Sequence, residues 1–106
     1  MRFLIITKTK HPLPPQLAVG LLDAMMAWTD TYTQSGKMEQ VWSFAGHQAG
    51  GGILNVESLE ELDAIMVRMP LAPFSEIKIY GLVDVKDALG RGKQITMEMM
   101  QSAGPR

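Results

Sequence analysis

Residues 38–56, MEQVWSFAGHQAGGGILNV, predict a β-hairpin in the middle of the chain. From Met38 to Phe44 the residues alternate, which predicts a strand with Met38, Trp42 and Phe44 on one face. A second strand follows from Gly51 to Val56. The connecting stretch FAGHQAGGG, residues 44–52, is typical of a hairpin connection or of a bulged strand start.

The chain before this hairpin predicts one strand and one helix. Residues 1–9, MRFLIITKT, are apolar on both alternating faces, as in a strand that is covered on both sides. The prolines of HPLPP, residues 11–15, end this strand, and a helix begins at Pro15 or Gln16 and ends near Gly36. The apolar face of this helix comprises Leu17, Leu21, Leu22, Met25, Trp28, Thr29 and Tyr32.

The chain after the hairpin repeats the pair in reverse order. Ser58 and Glu61 form a capping box, which predicts the start of a second helix. Pro70 ends this helix, and a fourth strand runs from Phe74 to Val83. The apolar face of the second helix comprises Leu59, Leu62, Ile65, Met66 and Met69.

The predicted order is β-α-β-β-α-β, the arrangement of ferredoxin-like α+β folds. Such a fold has a four-stranded antiparallel sheet with both helices on one face. The first strand is apolar on both faces, so the sheet face away from the helices is expected to be covered. The simplest cover is a second copy of the chain, in a two-fold dimer whose sheets face each other.

The domain is expected to span residues 1–85, with residues 86–106 as a C-terminal tail. Within the tail, Ile95, Met97 and Met99 alternate with polar residues. This pattern fits a short strand added to a neighbouring chain's sheet, but a single helical turn or partial disorder fits as well. The final residues, SAGPR, are expected to be mobile.

Composition narrows the class of protein. With 106 residues, 46% of them hydrophobic, the chain is long enough for one packed domain. The net charge of -1 favours neither nucleic acid nor an anionic membrane as partner. There is no Cys, and the N-terminal apolar run is too short for a signal peptide or a membrane span. We expect a cytoplasmic protein that binds a small molecule.

Neither a metal nor a cofactor is expected. The two histidines, His11 and His47, lie far apart in sequence, and neither has a carboxylate at ligand spacing beside it. The glycines Gly50 to Gly52 lack the Lys-Ser/Thr pair of a phosphate loop and precede a strand, not a helix. Close backbone approach, a bulge or a roomier pocket accounts for them.

His47 is the first candidate for acid or base chemistry, because imidazole exchanges protons near neutral pH. A structural role in the turn or the interface is the alternative. Trp28, Tyr32, Trp42 and Phe44 suit either an apolar cavity or the core. Lys8 and His11 border the end of the first strand, at a possible pocket mouth or simply in an exposed loop.

Three stretches together resemble the muconolactone isomerase family. They are VWSFAGHQA (41–49), PLAPF (70–74) and the Gly81-Leu82 pair that closes the fourth strand. The similarity covers residues 1–85 in order and spacing. It implies a ferredoxin-like dimeric α+β barrel, further assembly into rings such as decamers, and a pocket between sheet and helices that the neighbouring C-terminal segment helps to complete.

The resemblance also implies a cofactor-free proton transfer that shifts a double bond in an unsaturated lactone. Such a reaction needs a base, a group that stabilises an oxyanion, and an acid. The resemblance places the family's carboxylate at Met25, its Tyr at Gln48 and its Asn at Gly50, so three polar positions are exchanged.

These exchanges favour an isomerase-like enzyme that acts on another unsaturated or oxygenated substrate by isomerisation, cyclisation or dehydration. His47 and Gln48 are its predicted catalytic residues. The predicted substrate contacts are Met25, Trp28, Tyr32, Trp42, Phe44, Gly50 and Phe74. A non-catalytic binding or assembly protein and an authentic muconolactone isomerase are the alternatives.

Overall fold

A computed structural model describes residues 1–103 and contains the six predicted elements followed by a third helix. The strands are β1 (Arg2–Thr9), β2 (Met38–Ser43), β3 (Ala49–Asn55) and β4 (Ser75–Leu82). The helices are α1 (Pro15–Gln34), α2 (Leu59–Val67) and α3 (Val85–Ser102), and a single 3-10 turn at Ala72–Phe74 precedes β4. The β-α-β-β-α-β prediction is therefore confirmed.

The four strands form one antiparallel sheet in the order β2-β3-β1-β4. This is the order of a ferredoxin-like fold, in which β1 and β3 occupy the centre. The element boundaries follow the predicted signals. Pro15 opens α1, Gly36 adopts a positive φ of 79° just after it, and the Ser58 hydroxyl accepts the Glu61 N–H at 3.1 Å.

The core lies between α2 and one end of the sheet. Its buried side chains are Ile5, Met38, Leu54, Val56, Leu62, Ile65, Met66 and Met69. The second half of α1 closes this core, because the Trp28 indole donates to the Ile65 carbonyl at 3.1 Å and its ring packs edge-on against Tyr32. We call the side of the sheet that carries Ile5 and Leu54 the helix face, and the opposite side the open face.

Replacing Trp28 by phenylalanine is expected to lower the free energy of unfolding by about 1–2 kcal/mol, because the Ile65 carbonyl loses its indole donor. Urea unfolding of the two proteins measures the difference. The half-exposed Tyr80 supplies the control, since Tyr80→Phe is expected to change stability by less than about 0.5 kcal/mol. Equal effects of the two substitutions would contradict the anchoring role of Trp28.

The alternation predicted for β2 is wrong at its start. The pairing with β3 passes from Met38 opposite Leu54 to Gln40 opposite Ile53, so Glu39 is an extra residue in β2. Met38 therefore lies buried on the helix face, whereas Trp42, opposite Gly51, lies on the open face. The prediction that these two side chains share a face fails because the bulge reverses the alternation.

The open face carries a largely apolar surface, none of whose residues is buried within residues 1–103. Register places Leu4 and Ile6 of β1 in the middle of this face. Tyr80 and Leu82 of β4 are 49% and 41% exposed. The apolar surface comprises Leu4, Ile6, Trp42, Ile53, Tyr80 and Leu82.

The C-terminal tail is a helix, so the predicted short strand is wrong and the single helical turn is too short. α3 spans 18 residues, and none of its side chains is buried. The described chain measures 72 × 28 × 25 Å and its radius of gyration is 19.2 Å, against about 13 Å for a compact chain of this length. Of the segment expected to be mobile, residues 104–106 lie outside the described residues.

Candidate functional site

A partly exposed region lies on the helix face, at the end of the sheet that the core does not cover. Register places Thr7, Val41, Ser43, Gly50, Ile77 and Ile79 on this part of the helix face. The first half of α1 begins at the same end, because it follows the end of β1. Val41 and Ile79 remain 46% and 44% exposed although they point to the helix side. We call this region the helix-face cleft.

Two hydroxyl groups stand on the apolar floor of this cleft. Thr7 and Ser43 are the register partners of Gly50 on its two sides. Within residues 1–103 neither hydroxyl has a hydrogen-bond partner. A hydroxyl both donates and accepts, so this pair can bind an oxygen atom of a ligand that has apolar parts.

The predicted catalytic residues, His47 and Gln48, lie in the turn between β2 and β3, at the same end of the sheet as the cleft. The His47 N–H donates to the Phe44 carbonyl at 3.2 Å, and Gly46 adopts a φ of 77°. The turn is tied to the sheet because the Gln48 carbonyl accepts the Thr9 N–H at 2.9 Å. The His47 side chain is exposed, so it is accessible to a ligand that enters from this end.

Phe74 lies at the same end of the sheet, in the 3-10 turn before β4. Its carbonyl accepts the N–H groups of Lys10 and His11 at 2.8 and 3.2 Å. The fold therefore places His11 and Phe74 at the sheet end that carries the His47 turn. We call His11, His47, Gln48 and Phe74 the rim.

An ion pair fixes the loop that follows β1. Lys10 Nζ lies 2.9 Å from a carboxylate oxygen of Glu76. The hydrogen bond from Lys10, followed by its charge, lowers the pKa of Glu76 below its ordinary value. The ion pair therefore stabilises the fold at pH values above the ordinary carboxyl pKa. This stabilisation is lost as the pH falls through the lowered pKa of Glu76.

The three consecutive glycines bring strand backbones together. A Cβ on Gly50 would meet the Trp42 carbonyl at 2.6 Å, and one on Gly51 would meet the Ile5 carbonyl at 2.6 Å. A Cβ on Gly52 would meet the Gln40 carbonyl at 2.7 Å. Of the alternatives considered for this stretch, close backbone approach is therefore the one that describes all three positions.

The structure distributes the predicted substrate contacts over both sides of the sheet. Met25, Trp28 and Tyr32 pack against the core from the second half of α1. Trp42 lies on the open face, and continued alternation places the partly exposed Phe44 there too. Thr7, Val41 and Ser43 belong to the cleft but escaped sequence reasoning. The faces of Val41 and Ser43 follow from the register around the bulge, and Thr7 comes near Ser43 only because both pair with Gly50.

A groove of about 480 Å³ opens on the other side of the sheet. It lies at the link between β4 and α3, at the end of the sheet opposite His47. The ion pair between Arg2 and Glu39, with an N–O distance of 2.8 Å, borders it. Its lining residues are Arg2, Glu39, Gln40, Ile53, Leu82, Val83, Asp84 and Val85. Because it continues the open apolar face, it belongs with that face and not with the cleft.

Among residues 1–103, no three His, Asp or Glu side chains gather in a way that could hold a metal ion. No helix in this part of the chain is both long and apolar enough to cross a membrane.

The fold and the cleft define a small ferredoxin-like α+β protein, and sequence comparison identifies its family. The profile of the muconolactone delta-isomerase family matches residues 1–87. The chain therefore belongs to the muconolactone delta-isomerase family, a family of isomerases.

Curated relatives agree with this assignment. The muconolactone delta-isomerase of Rhodococcus opacus is 32% identical over 66% of this chain and 80% of that protein. The muconolactone delta-isomerase of Pseudomonas aeruginosa is 30% identical over 66% of this chain and 73% of that protein. The predicted resemblance is confirmed.

Solved structures agree on the fold. A crystal structure of muconolactone isomerase superposes with a TM-score of 0.74 at 27% identity, over 79% of this chain and 90% of that one. The structure of 5-chloro-2-hydroxyhydroquinone dehydrochlorinase from Burkholderia phenoliruptrix, in complex with 2,5-dihydroxybenzoquinone, gives a TM-score of 0.63 at 17% identity. This second match covers 82% of this chain and concerns the fold alone.

Proposed function

We propose that this protein is a cofactor-independent isomerase-like enzyme that moves a proton on an unsaturated or oxygenated small molecule other than muconolactone. The reaction is a double-bond isomerisation, a cyclisation or a dehydration. The observation that carries the proposal is the helix-face cleft of a domain that belongs to an isomerase family. Two hydroxyls stand on its apolar floor, and neither has a hydrogen-bond partner within residues 1–103.

His47 is the proposed proton carrier, with Gln48 orienting an oxygen atom of the substrate. The support for these roles is position, because the rim stands at the open end of the cleft. The Thr7 and Ser43 hydroxyls are the proposed partners of the developing oxyanion, since a donor aimed at the growing negative charge lowers the barrier. Met25, where the family resemblance places a carboxylate, contributes apolar surface only.

The active form proposed here is a homodimer whose open faces pack together. The apolar surface around Leu4, Ile6 and Tyr80 supports this assembly, since a contiguous apolar patch of this kind marks an interface. In such a dimer Trp42 and Phe44 are interface residues. Their predicted contact with substrate then requires a ligand that reaches between the two sheets.

A non-catalytic binding protein is the second candidate, and one observation favours it. None of the cleft residues named above, and neither Leu21 nor Met25 on α1, carries an ionisable side chain. An authentic muconolactone isomerase is the third candidate, supported by relatives of about 30% identity that bear that name. A single assay separates the three.

The assay records proton NMR spectra of muconolactone and of a set of unsaturated lactones and hydroxyquinols in D2O, with and without the protein. A base that removes a carbon-bound proton exchanges it for deuterium even when the product is not formed. Protein-dependent exchange on a compound other than muconolactone supports the proposal. Fast conversion of muconolactone itself establishes the third candidate instead.

Amide and methyl shifts of the labelled protein identify the binding face in the same samples. Ligand-induced shifts at Thr7, Val41 and Ile77 are expected, and shifts confined to Leu4 and Ile53 on the open face contradict the cleft. Binding in the cleft without any exchange establishes the non-catalytic candidate. No binding of any compound overturns the proposal.

A further inference from the structure

The C-terminal helix α3 has an apolar stripe that stays exposed within residues 1–103. Of its residues only Ala88 is partly buried, whereas Leu89 and Met99 are 68% and 66% exposed. At 100° per residue, one side of the helix gathers Val85, Ala88, Leu89, Gly92, Ile95, Thr96 and Met99. The family match ends at residue 87, so all of this stripe after Val85 lies outside the shared domain.

The stripe has the spacing of a helix that pairs with another helix. Val85, Ala88, Gly92, Ile95 and Met99 follow one another at alternating intervals of three and four. This is the repeat by which two helices keep one seam in contact along their length. Leu89 and Thr96 extend the seam along one edge. The opposite edge carries charged residues.

Small and large residues in this seam complement each other in an antiparallel pair of identical helices. We consider two antiparallel copies whose two-fold axis passes between residues 93 and 94. Ala88 then lies opposite Met99 of the partner subunit. Gly92 then lies opposite Ile95 of the partner subunit. Each layer combines a small side chain with a large one, which packs two helices closely without gaps. In a parallel pair Gly92 would face its own copy and leave a hole.

The charges that flank the seam favour the same arrangement. Arg91 and Glu98 each stand one residue before a seam position, on the flank opposite Leu89. In an antiparallel pair this flank meets its own copy, so Arg91 lies beside Glu98 of the partner subunit, twice by symmetry. In a parallel pair Arg91 would instead approach Thr96 of the partner subunit, and the charge pairing would be lost.

We infer that α3 binds α3 of a second copy of this chain in an antiparallel two-helix contact. This contact is separate from the open sheet face, so it joins chains through a second two-fold axis. Two different two-fold contacts on one chain link dimers into larger assemblies. α3 is thus a self-association element that this chain carries beyond the isomerase domain.

Disulfide mapping tests the contact, because the chain contains no native Cys. The double variant Ala88→Cys/Met99→Cys is oxidised under mild conditions. Residues 88 and 99 lie about 16 Å apart along one helix, too far for a bond within a chain. Trypsin cleaves after Arg91 and Lys93, so a bond between the two positions joins two separate peptides that mass spectrometry detects.

The expected product is a covalent dimer with 88-to-99 links. The single variant Ala88→Cys and the variant Gln94→Cys, which lies at the same level on the other side of the helix, are expected to stay monomeric after denaturation. A self-link of the Ala88→Cys single variant shows a parallel pair, and the absence of any link in the double variant shows that residues 88 and 99 of two copies do not meet. Either result overturns the inference.

A charge exchange supplies a test without cysteine. Arg91→Glu creates like-charged neighbours and is expected to weaken the α3 contact on the order of tenfold. Arg91→Glu/Glu98→Arg restores the opposite charges and is expected to restore the assembly, as measured by sedimentation velocity. Helicity by circular dichroism shows that α3 persists in each variant. Failure of the double exchange to restore assembly overturns the antiparallel register.

Discussion

Replacing Gly52 by alanine is expected to destabilise the domain by about 2–4 kcal/mol. The new Cβ would meet the Gln40 carbonyl at 2.7 Å, and this oxygen belongs to a backbone held by the sheet. Backbone atoms cannot move aside as the end of a flexible side chain can, so β2 or β3 must shift. The Met38 sulfur at 3.5 Å from the same point transmits the shift to the core.

The same substitution at Gly20 is the matched control. Gly20 lies in α1, and nothing stands within 4 Å of the place where its Cβ would be. Alanine restricts the unfolded chain and favours the helix, so Gly20→Ala is expected to stabilise by about 0.5–1 kcal/mol. Urea unfolding of both variants measures the two effects, which have opposite signs. A Gly52→Ala variant as stable as the parent would show that the strands are not in close contact.

The order of the elements could be predicted because each one carries a local signal. Prolines bound β1 and α1, and the Ser58 cap defines the start of α2. The bulge at Glu39 could not be predicted, since Met38, Gln40 and Trp42 alternate in the sequence as they would in a regular strand. An extra residue in one strand becomes visible only against its partner strand.

The helix α3 escaped prediction for a different reason. Gly90 and Gly92 each disfavour a helix by about 1 kcal/mol relative to alanine. Their presence therefore argued against a helix, although the apolar residues around them have helical spacing. The alternation of Ile95, Met97 and Met99 also fits a strand. The three- and four-residue spacing from Val85 to Met99 is the signal that could have revealed the helix.

The candidate site could be predicted only in part. The family resemblance led to His47 and Gln48, and the turn that carries them lies at the same end of the sheet as Thr7 and Ser43. The Thr7 and Ser43 hydroxyls have no motif around them, and only the register with Gly50 brings them together. Residues that meet through strand pairing leave no trace in local sequence patterns.

Replacing His47 by alanine is expected to lower the rate of deuterium exchange on the responsive substrate by about 100-fold or more, the usual contribution of a positioned acid or base. The His47 side chain is exposed. Backbone hydrogen bonds hold its turn, such as the one from the His47 N–H to the Phe44 carbonyl. Its removal is therefore expected to change the free energy of unfolding by less than about 0.5 kcal/mol. The loss of rate thus separates chemistry from folding.

His11→Ala is the matched control, because His11 lies at the same rim and the fold holds it by its backbone N–H. A proton carrier is specific in its position, so this variant is expected to keep its exchange rate within about threefold of the parent. Equal losses in both variants would indicate that the rim contributes to substrate binding. In that case KM is raised while kcat is unchanged. If His47→Ala keeps the full rate while His11→Ala loses it, the imidazole of the β1–α1 loop is the proton carrier, and the role proposed for the β2–β3 turn is wrong.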